Sequence, residues 1–246
     1  MRHSGAVPPS VPPPAPDASP ASGVGRAEAW FAWPTRSAGW EQRQGSLDAH
    51  ERRRLDALVE PTTARAYAVL HLLARDVLGQ VVGCRPDQLV VDRTCARCGE
   101  QHGPPRLVGH PDLHVSLTRT TDLVAVAVST DAPVGIDAER VAGTRFEGFD
   151  GVAMHPSERS PDLDDRARAV SWVRKEAALK ALGTGFVVDP AALTTPLAGR
   201  TGLVLPDRSP VTVVDVPLGD SDHVAALALA AAYGRVDITT HEAPDA

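Results

Sequence analysis

Lysine is nearly absent from this chain of 246 residues: 25 side chains are Lys or Arg, and only two of them are lysines, Lys175 and Lys180. Cysteine is also scarce, with three in all, an odd number that excludes a complete disulfide framework and makes reduced thiols the expectation. No apolar run reaches the length of a membrane span; the richest, Val224 to Ala232, is short and Ala-heavy. The N-terminus lacks the charged-then-apolar pattern of a secretory signal, so a cytoplasmic protein is expected. A formal net charge of −6 argues against broad nucleic-acid binding, which needs a basic surface. What remains, 43% hydrophobic and 23% charged, is ordinary globular composition.

Residues 1 to about 25 carry seven of the 22 prolines with Ala, Ser and Gly, and are expected to be a disordered tail. Leu47 to Leu58 reads as a short charged helix. Ala64 to Val82, capped by Thr62 or Thr63 and ended near Gly79 or Gly83, reads as a longer one with Tyr67, Leu70, Leu73, Val77 and Leu78 at helical spacing. Strands are expected at Leu89–Val91, Leu113–Leu117, Leu123–Ser129 and Val134–Ile136, with a turn-rich stretch from Cys95 to Pro105. Asp164 to Leu182 is a helix stopped by Gly183, and Val211–Val216 with Val224–Leu229 forms a second hairpin. This order, helix then hairpin twice, predicts an α+β fold of two similar halves in pseudo-twofold arrangement, each a small antiparallel sheet packed with helices. The expected boundaries are 26–131 and 132–236, with a tail at 237–246.

Two segments carry chemistry. Asp137 and Glu139, two residues apart after a strand, project their carboxylates to one side, as a magnesium ion on a substrate phosphate requires. On the helix Asp164 to Leu182, Glu176 and Lys180 lie about 40° apart on the wheel, with Lys175 about 100° to the other side of Glu176. Val170, Val173, Ala177 and Ala181 form one apolar face, and Trp172, Leu179 and Leu182 cover much of the rest, so the charges do not gather on one solvent face. Alone, an Asp-x-Glu after a strand is commonly a solvated turn, and Glu176–Lys180 commonly a surface pair worth roughly 0.2–0.5 kcal/mol.

Together, Gly135-Ile136-Asp137-Ala138-Glu139 and Trp172-Val173-Arg174-Lys175-Glu176-Ala177-Ala178-Leu179-Lys180 resemble the signature of the Sfp-type 4′-phosphopantetheinyl transferases, in an actinobacterial-like form. Gly183-Thr184-Gly185-Phe186 resembles the stretch that follows this helix, and Val115-Ser116-Leu117-Thr118-Arg119 and Cys98-Gly99 through His102-Gly103-Pro104 resemble first-half features. The resemblance implies transfer of the phosphopantetheine arm of coenzyme A to a serine of an acyl, polyketide or peptidyl carrier protein, with release of adenosine 3′,5′-bisphosphate. It implies Mg²⁺ held by Asp137, Glu139 and Glu176, with Glu176 also taking the serine proton and Lys180 neutralising charge on the pyrophosphate as the nucleotide leaves. Lys175 would contact phosphate or position the helix, and Ser116, Thr118, Arg119 and Arg106 would face coenzyme A. It further implies a monomer in polyketide and nonribosomal peptide biosynthesis. Two departures stand out: Arg119 replaces a His common in the family, and Gly103-Pro104-Pro105-Arg106 lacks its usual lysine.

Other candidates have blander readings. Cys95-x-x-Cys98 with His102, and Cys84 upstream, offers zinc three thiolates and an imidazole, although a turn with buried thiols is the commoner outcome. His114 reads as a core histidine, and Arg52-Arg53-Arg54 as a solvated helix face or a contact for an acidic carrier protein. Glu158, in His155-Pro156-Ser157-Glu158, either shapes the site or is a solvated loop carboxylate. The alternative functions are a zinc-stabilised interaction module and a coenzyme A-binding relative without turnover.

Overall fold

The computed structural model describes residues 23–185, 188–195 and 209–243. Residues 1–22 of the expected tail, and Phe186, lie outside them.

The fold is mixed α+β. Among the described residues four α-helices, α1 (Ala49–Asp56), α2 (Pro61–Val82), α3 (Phe149–Ala153) and α4 (Asp165–Leu182), accompany nine strands. These are β1 (Val24–Ala32), β2 (Val91–Thr94), β3 (Gln101–Leu107), β4 (His114–Arg119), β5 (Val124–Ser129), β6 (Val134–Arg140), β7 (Thr212–Val216), β8 (His223–Leu229) and β9 (Arg235–Glu242). They make a six-stranded sheet in the order β2-β3-β4-β5-β1-β9 and a three-stranded sheet in the order β6-β8-β7. No helix of the described residues is long and apolar enough to cross a membrane.

Period-two sequence patterns set the layers. In β5, Val124, Val126 and Val128 pack with α2, while Ala125 and Ala127 turn to a second core shared with Ile136, Leu227 and Leu229. In β8, Ala225, Leu227 and Leu229 face that same core, and Val224, Ala226 and Ala228 face α4. The two sheets therefore sit face to face, with α2 outside one and α4 outside the other. The small alanines let the layers approach closely, and each fully buried Val or Leu contributes about 1.5–3 kcal/mol.

Several expectations are corrected. Residues 237–246 were assigned to a tail, yet β9 pairs in parallel along the whole of Val24–Phe31, so the first sheet is not purely antiparallel. Its partner β1 carries little sequence signal: exposed and buried residues alternate only from Val24 to Ala29, Trp30 to Ala32 are all buried, and Gly25 and small alanines weaken the strand pattern. β3 runs through Gly103-Pro104-Pro105, where a turn was expected; β3 meets β4 through the single pair Arg106↔His114, so the prolines cost few ladder bonds. The α2 cap is Glu60, whose carboxylate accepts from Thr62 N at 3.1 Å and Thr63 N at 2.6 Å, with Pro61 opening the helix. At α1, Asp48 and Glu51 form a reciprocal capping box.

Candidate active site

Strand β6 alternates strictly. Val134, Ile136 and Ala138 enter the core between the sheets, leaving Gly135, Asp137 and Glu139 on the opposite side, toward α4. Gly135 has a steric reason to be glycine: a Cβ there would lie 1.9 Å from the Ala177 carbonyl oxygen and 2.5 Å from the Ala181 nitrogen. The helix backbone thus rests directly on the strand, and this contact brings Glu176 and Lys180 to Asp137.

The link to the first sheet is made by β4. Ser116 Oγ accepts the Ile136 N–H at 3.0 Å, and Thr118 Oγ1 donates to Asp137 Oδ1 at 2.9 Å. Both hydroxyls are buried and occupied inside the protein. They join β4 to β6 and aim Asp137.

Lys180 Nζ donates to Asp137 Oδ1 at 2.7 Å and to the carbonyls of Ile136 at 3.0 Å and Leu117 at 3.4 Å. Its neighbour one turn back is in the opposite situation. Glu176 Oε1 is buried with no hydrogen-bond partner among the described residues. Burial, and then the negative charge of Asp137, push the Glu176 carboxyl up to about 7, against the opposing pull of Lys180. Burial likewise raises the Glu139 carboxyl, with Asp137 adding to the shift, although one of its oxygens accepts the Arg140 N–H at 2.8 Å. Asp137 is the charge that both glutamates feel. A hard divalent cation among these oxygens would relieve that repulsion and give Glu176 Oε1 a partner, so the donor set fits magnesium. The carboxylates stand apart in this arrangement: among the described residues only Cys95, Cys98 and His102 bring three ligand atoms within 4.8 Å of one another.

Lys175 lies away from this centre and is fully buried. Its ammonium donates to Glu158 Oε2 at 2.6 Å and to the Ala153 carbonyl at 2.8 Å. Glu158 also accepts from Thr195 N at 2.5 Å and Thr195 Oγ1 at 2.7 Å, and from His155 N at 3.0 Å. Its ammonium is thus engaged inside the protein, where it ties α4 to the loop before it. Glu158 is correspondingly no solvated carboxylate. Burial alone would raise its proton affinity, but the hydrogen bonds from Lys175 and Thr195 outweigh that and lower it.

A second feature lies on the first-sheet side. A cavity of about 170 Å³ is lined by residues including Arg54, Tyr67, Arg93, Gln101 and His102, and none of the three carboxylates borders it. Its acids are already engaged: Arg75 donates to Glu51 at 2.6 Å and to Asp48 at 2.8 Å, and His71 meets Glu51 at 3.0 Å. Arg119 stacks on the Tyr67 ring, 5.6 Å from its centroid, and burial with the nearby charges of Arg54 and Arg93 makes its proton easier to lose. None of Arg54, Arg93 and Arg119 forms an ion pair among the described residues. The sequence reads Arg54 as part of a solvated helix face or a carrier-protein contact and Tyr67 as one of the apolar positions of α2, and it gives no signal for Arg93; only the tertiary structure sets them around one cavity. Arg106 is exposed on β3, its guanidinium 3.5 Å from the Thr94 carbonyl.

Residues 133–228 match the family model of the 4′-phosphopantetheinyl transferase superfamily; this segment is a domain of that superfamily and marks the protein as a transferase enzyme of that kind. The matched segment holds Asp137, Glu139, Lys175, Glu176 and Lys180, whereas Ser116, Thr118, Arg119 and the cavity lie outside it. No curated protein matches the chain.

Proposed function

We propose that this chain is an Sfp-type, magnesium-dependent enzyme that transfers 4′-phosphopantetheine from coenzyme A to a serine of an apo acyl, polyketide or peptidyl carrier protein. The observation that carries the reading is Glu176: a buried oxygen with no hydrogen-bond partner among the described residues, and proton affinity raised by burial and by Asp137, on the helix that also bears Lys180. Asp137, Glu139 and Glu176 would hold the Mg²⁺, which when bound supplies positive charge against the pyrophosphate.

In the reaction, the serine Oγ forms a bond to the phosphorus that carries the pantetheine arm. The bridging P–O bond of the pyrophosphate breaks and adenosine 3′,5′-bisphosphate leaves. Glu176 accepts the serine proton, directly or through water. Lys180, already seated against Asp137, stabilises the charge that grows on the leaving group. Thr118 and Ser116 hold Asp137 and β6 in place rather than touching substrate. The guanidiniums of Arg54, Arg93 and Arg119 have no carboxylate partner among the described residues and could serve as phosphate donors, which makes the adjoining cavity the candidate seat of the coenzyme A phosphates. The same reading makes the two helix-covered sheets related halves, near 26–131 and 132–236, of a cytoplasmic monomer serving polyketide or nonribosomal peptide biosynthesis.

The test is incubation with coenzyme A, Mg²⁺ and a panel of apo carrier proteins. A mass increase of one phosphopantetheine group, lost with a chelator, is expected. No modified carrier across fatty-acid, polyketide and peptide types would overturn the assignment.

A further inference from the structure

The tip of the β2–β3 hairpin holds a cluster that the transfer reaction does not use. Cys95 Sγ, Cys98 Sγ and His102 Nε2 or Nδ1 converge within 4.8 Å, and Cys98 Sγ lies 2.9 Å from His102 Nε2. Cys84 does not join them; its thiol is directed at the Arg85 carbonyl and the Gln88 side chain. The expectation of buried thiols also fails, since Cys98 and His102 are exposed.

The backbone around the cluster is organised. The Cys95 N–H donates to the Glu100 carbonyl at 2.8 Å, the Gly99 N–H to the Cys95 carbonyl at 2.9 Å, and the His102 N–H to the Glu100 carbonyl at 3.0 Å. Gly99 has φ 78°, a left-handed turn that glycine adopts without strain and that reverses the chain between the second cysteine and the histidine.

Distances favour a tetrahedral ion. With Zn–S near 2.3 Å and Zn–N near 2.0 Å, ligand–ligand edges are about 3.5–3.8 Å. The cluster falls within that reach, and the Cys98–His102 contact needs to open by only about half an ångström. Two soft sulfurs and an imidazole select zinc-class cations over magnesium, so this site and the carboxylate centre would not compete for one metal.

We propose that Cys95, Cys98 and His102 bind one zinc-class divalent cation at the hairpin tip, with the fourth position left to water. The site has mechanical work to do. The hairpin is the outer edge of the first sheet, its register slips between Asp92 and Thr94, and it joins β4 through one residue pair. Closing the tip with a metal fixes His102 and Gln101, which form one wall of the arginine-rich cavity.

The full chain, expressed with zinc and purified without chelator, is assayed for metal content, then exchanged with cobalt(II). About one zinc per chain and a thiolate-to-cobalt charge-transfer band are expected. Cys98→Ser and His102→Ala should each abolish both signals, while Glu176→Gln keeps them. Because those variants could fail to fold, the wild type is also alkylated: zinc should slow modification of Cys95 and Cys98 about tenfold, and a chelator should restore it. Absence of retained zinc with no cobalt band would overturn the proposal. So would a Cys95–Cys98 disulfide in the freshly purified protein, or zinc that survives both substitutions in folded protein. None of these readouts depends on transfer activity, so the site can fail while the enzymatic assignment stands.

Discussion

Replacing Glu176 by Gln should remove transferase activity yet make the metal-free protein more stable above neutral pH. In the native state the Glu176 carboxyl is raised from 4.5 to about 7 by burial and by Asp137. An unfolded glutamate releases its proton near the lower value. Between the two the unfolded state binds fewer protons than the native state, so stability falls as pH rises through this window, and the loss is complete above about 7. At 1.36 kcal/mol per unit the upper bound is about 3 kcal/mol. Glu176 is only partly buried and has Lys180 nearby, so solvent screening reduces the expected effect to roughly 1–2 kcal/mol. Glutamine cannot ionise and escapes this loss. Urea denaturation in excess chelator at several pH values should show a wild-type-to-variant difference from this carboxyl that is near zero around pH 4 and grows to its plateau above pH 7. In a melting experiment on a chain of this size that is roughly 2–8 °C. Magnesium should reverse the ranking at pH 8, because binding to the native state alone stabilises the wild type by about 2.7 kcal/mol at a hundredfold excess over Kd. A glutamine variant that is less stable at pH 8 in chelator, or a difference that does not change with pH, would refute the placement of a strained carboxylate at this position.

Gly135→Ala should cost about 3 kcal/mol or more, because the added methyl meets the α4 backbone rather than a side chain that can move; an unchanged urea midpoint would contradict the close approach. Lys175→Met should cost about 3–5 kcal/mol by leaving the Glu158 carboxylate buried without its cation. Adding Glu158→Gln should recover part of that loss, and strictly additive effects in the double-mutant cycle would count against the pair. Arg119→Ala should raise KM for coenzyme A about tenfold, the loss of one charge-assisted phosphate contact, with a smaller change in kcat. An unchanged KM would place the nucleotide elsewhere.

The division between what one dimension and three dimensions reveal is sharp in this protein. Elements with a strong local signal were legible: α4 between its Asp164 cap and Gly183, and the Val-Ala alternation of β5. The terminal strands were not. β1 and β9 are amphipathic only weakly, and each is stabilised by a partner more than 200 residues away, a pairing that leaves no local periodicity to read. Gly135-Ile136-Asp137-Ala138-Glu139 and the Lys175–Lys180 segment identified the chemistry because their residue types and spacing are properties of the chain alone. Which charge does what is a property of the packing. Lys175 and Lys180 are indistinguishable as side chains, yet a 100° step per residue around α4 sends one into a sealed pair with Glu158 and the other to Asp137 at the boundary between the sheets. Sequence supplied the charged groups and the glycine that admits the helix; only the contact of α4 with β6 decided that one buried oxygen of Glu176 would have no hydrogen-bond partner among the described residues.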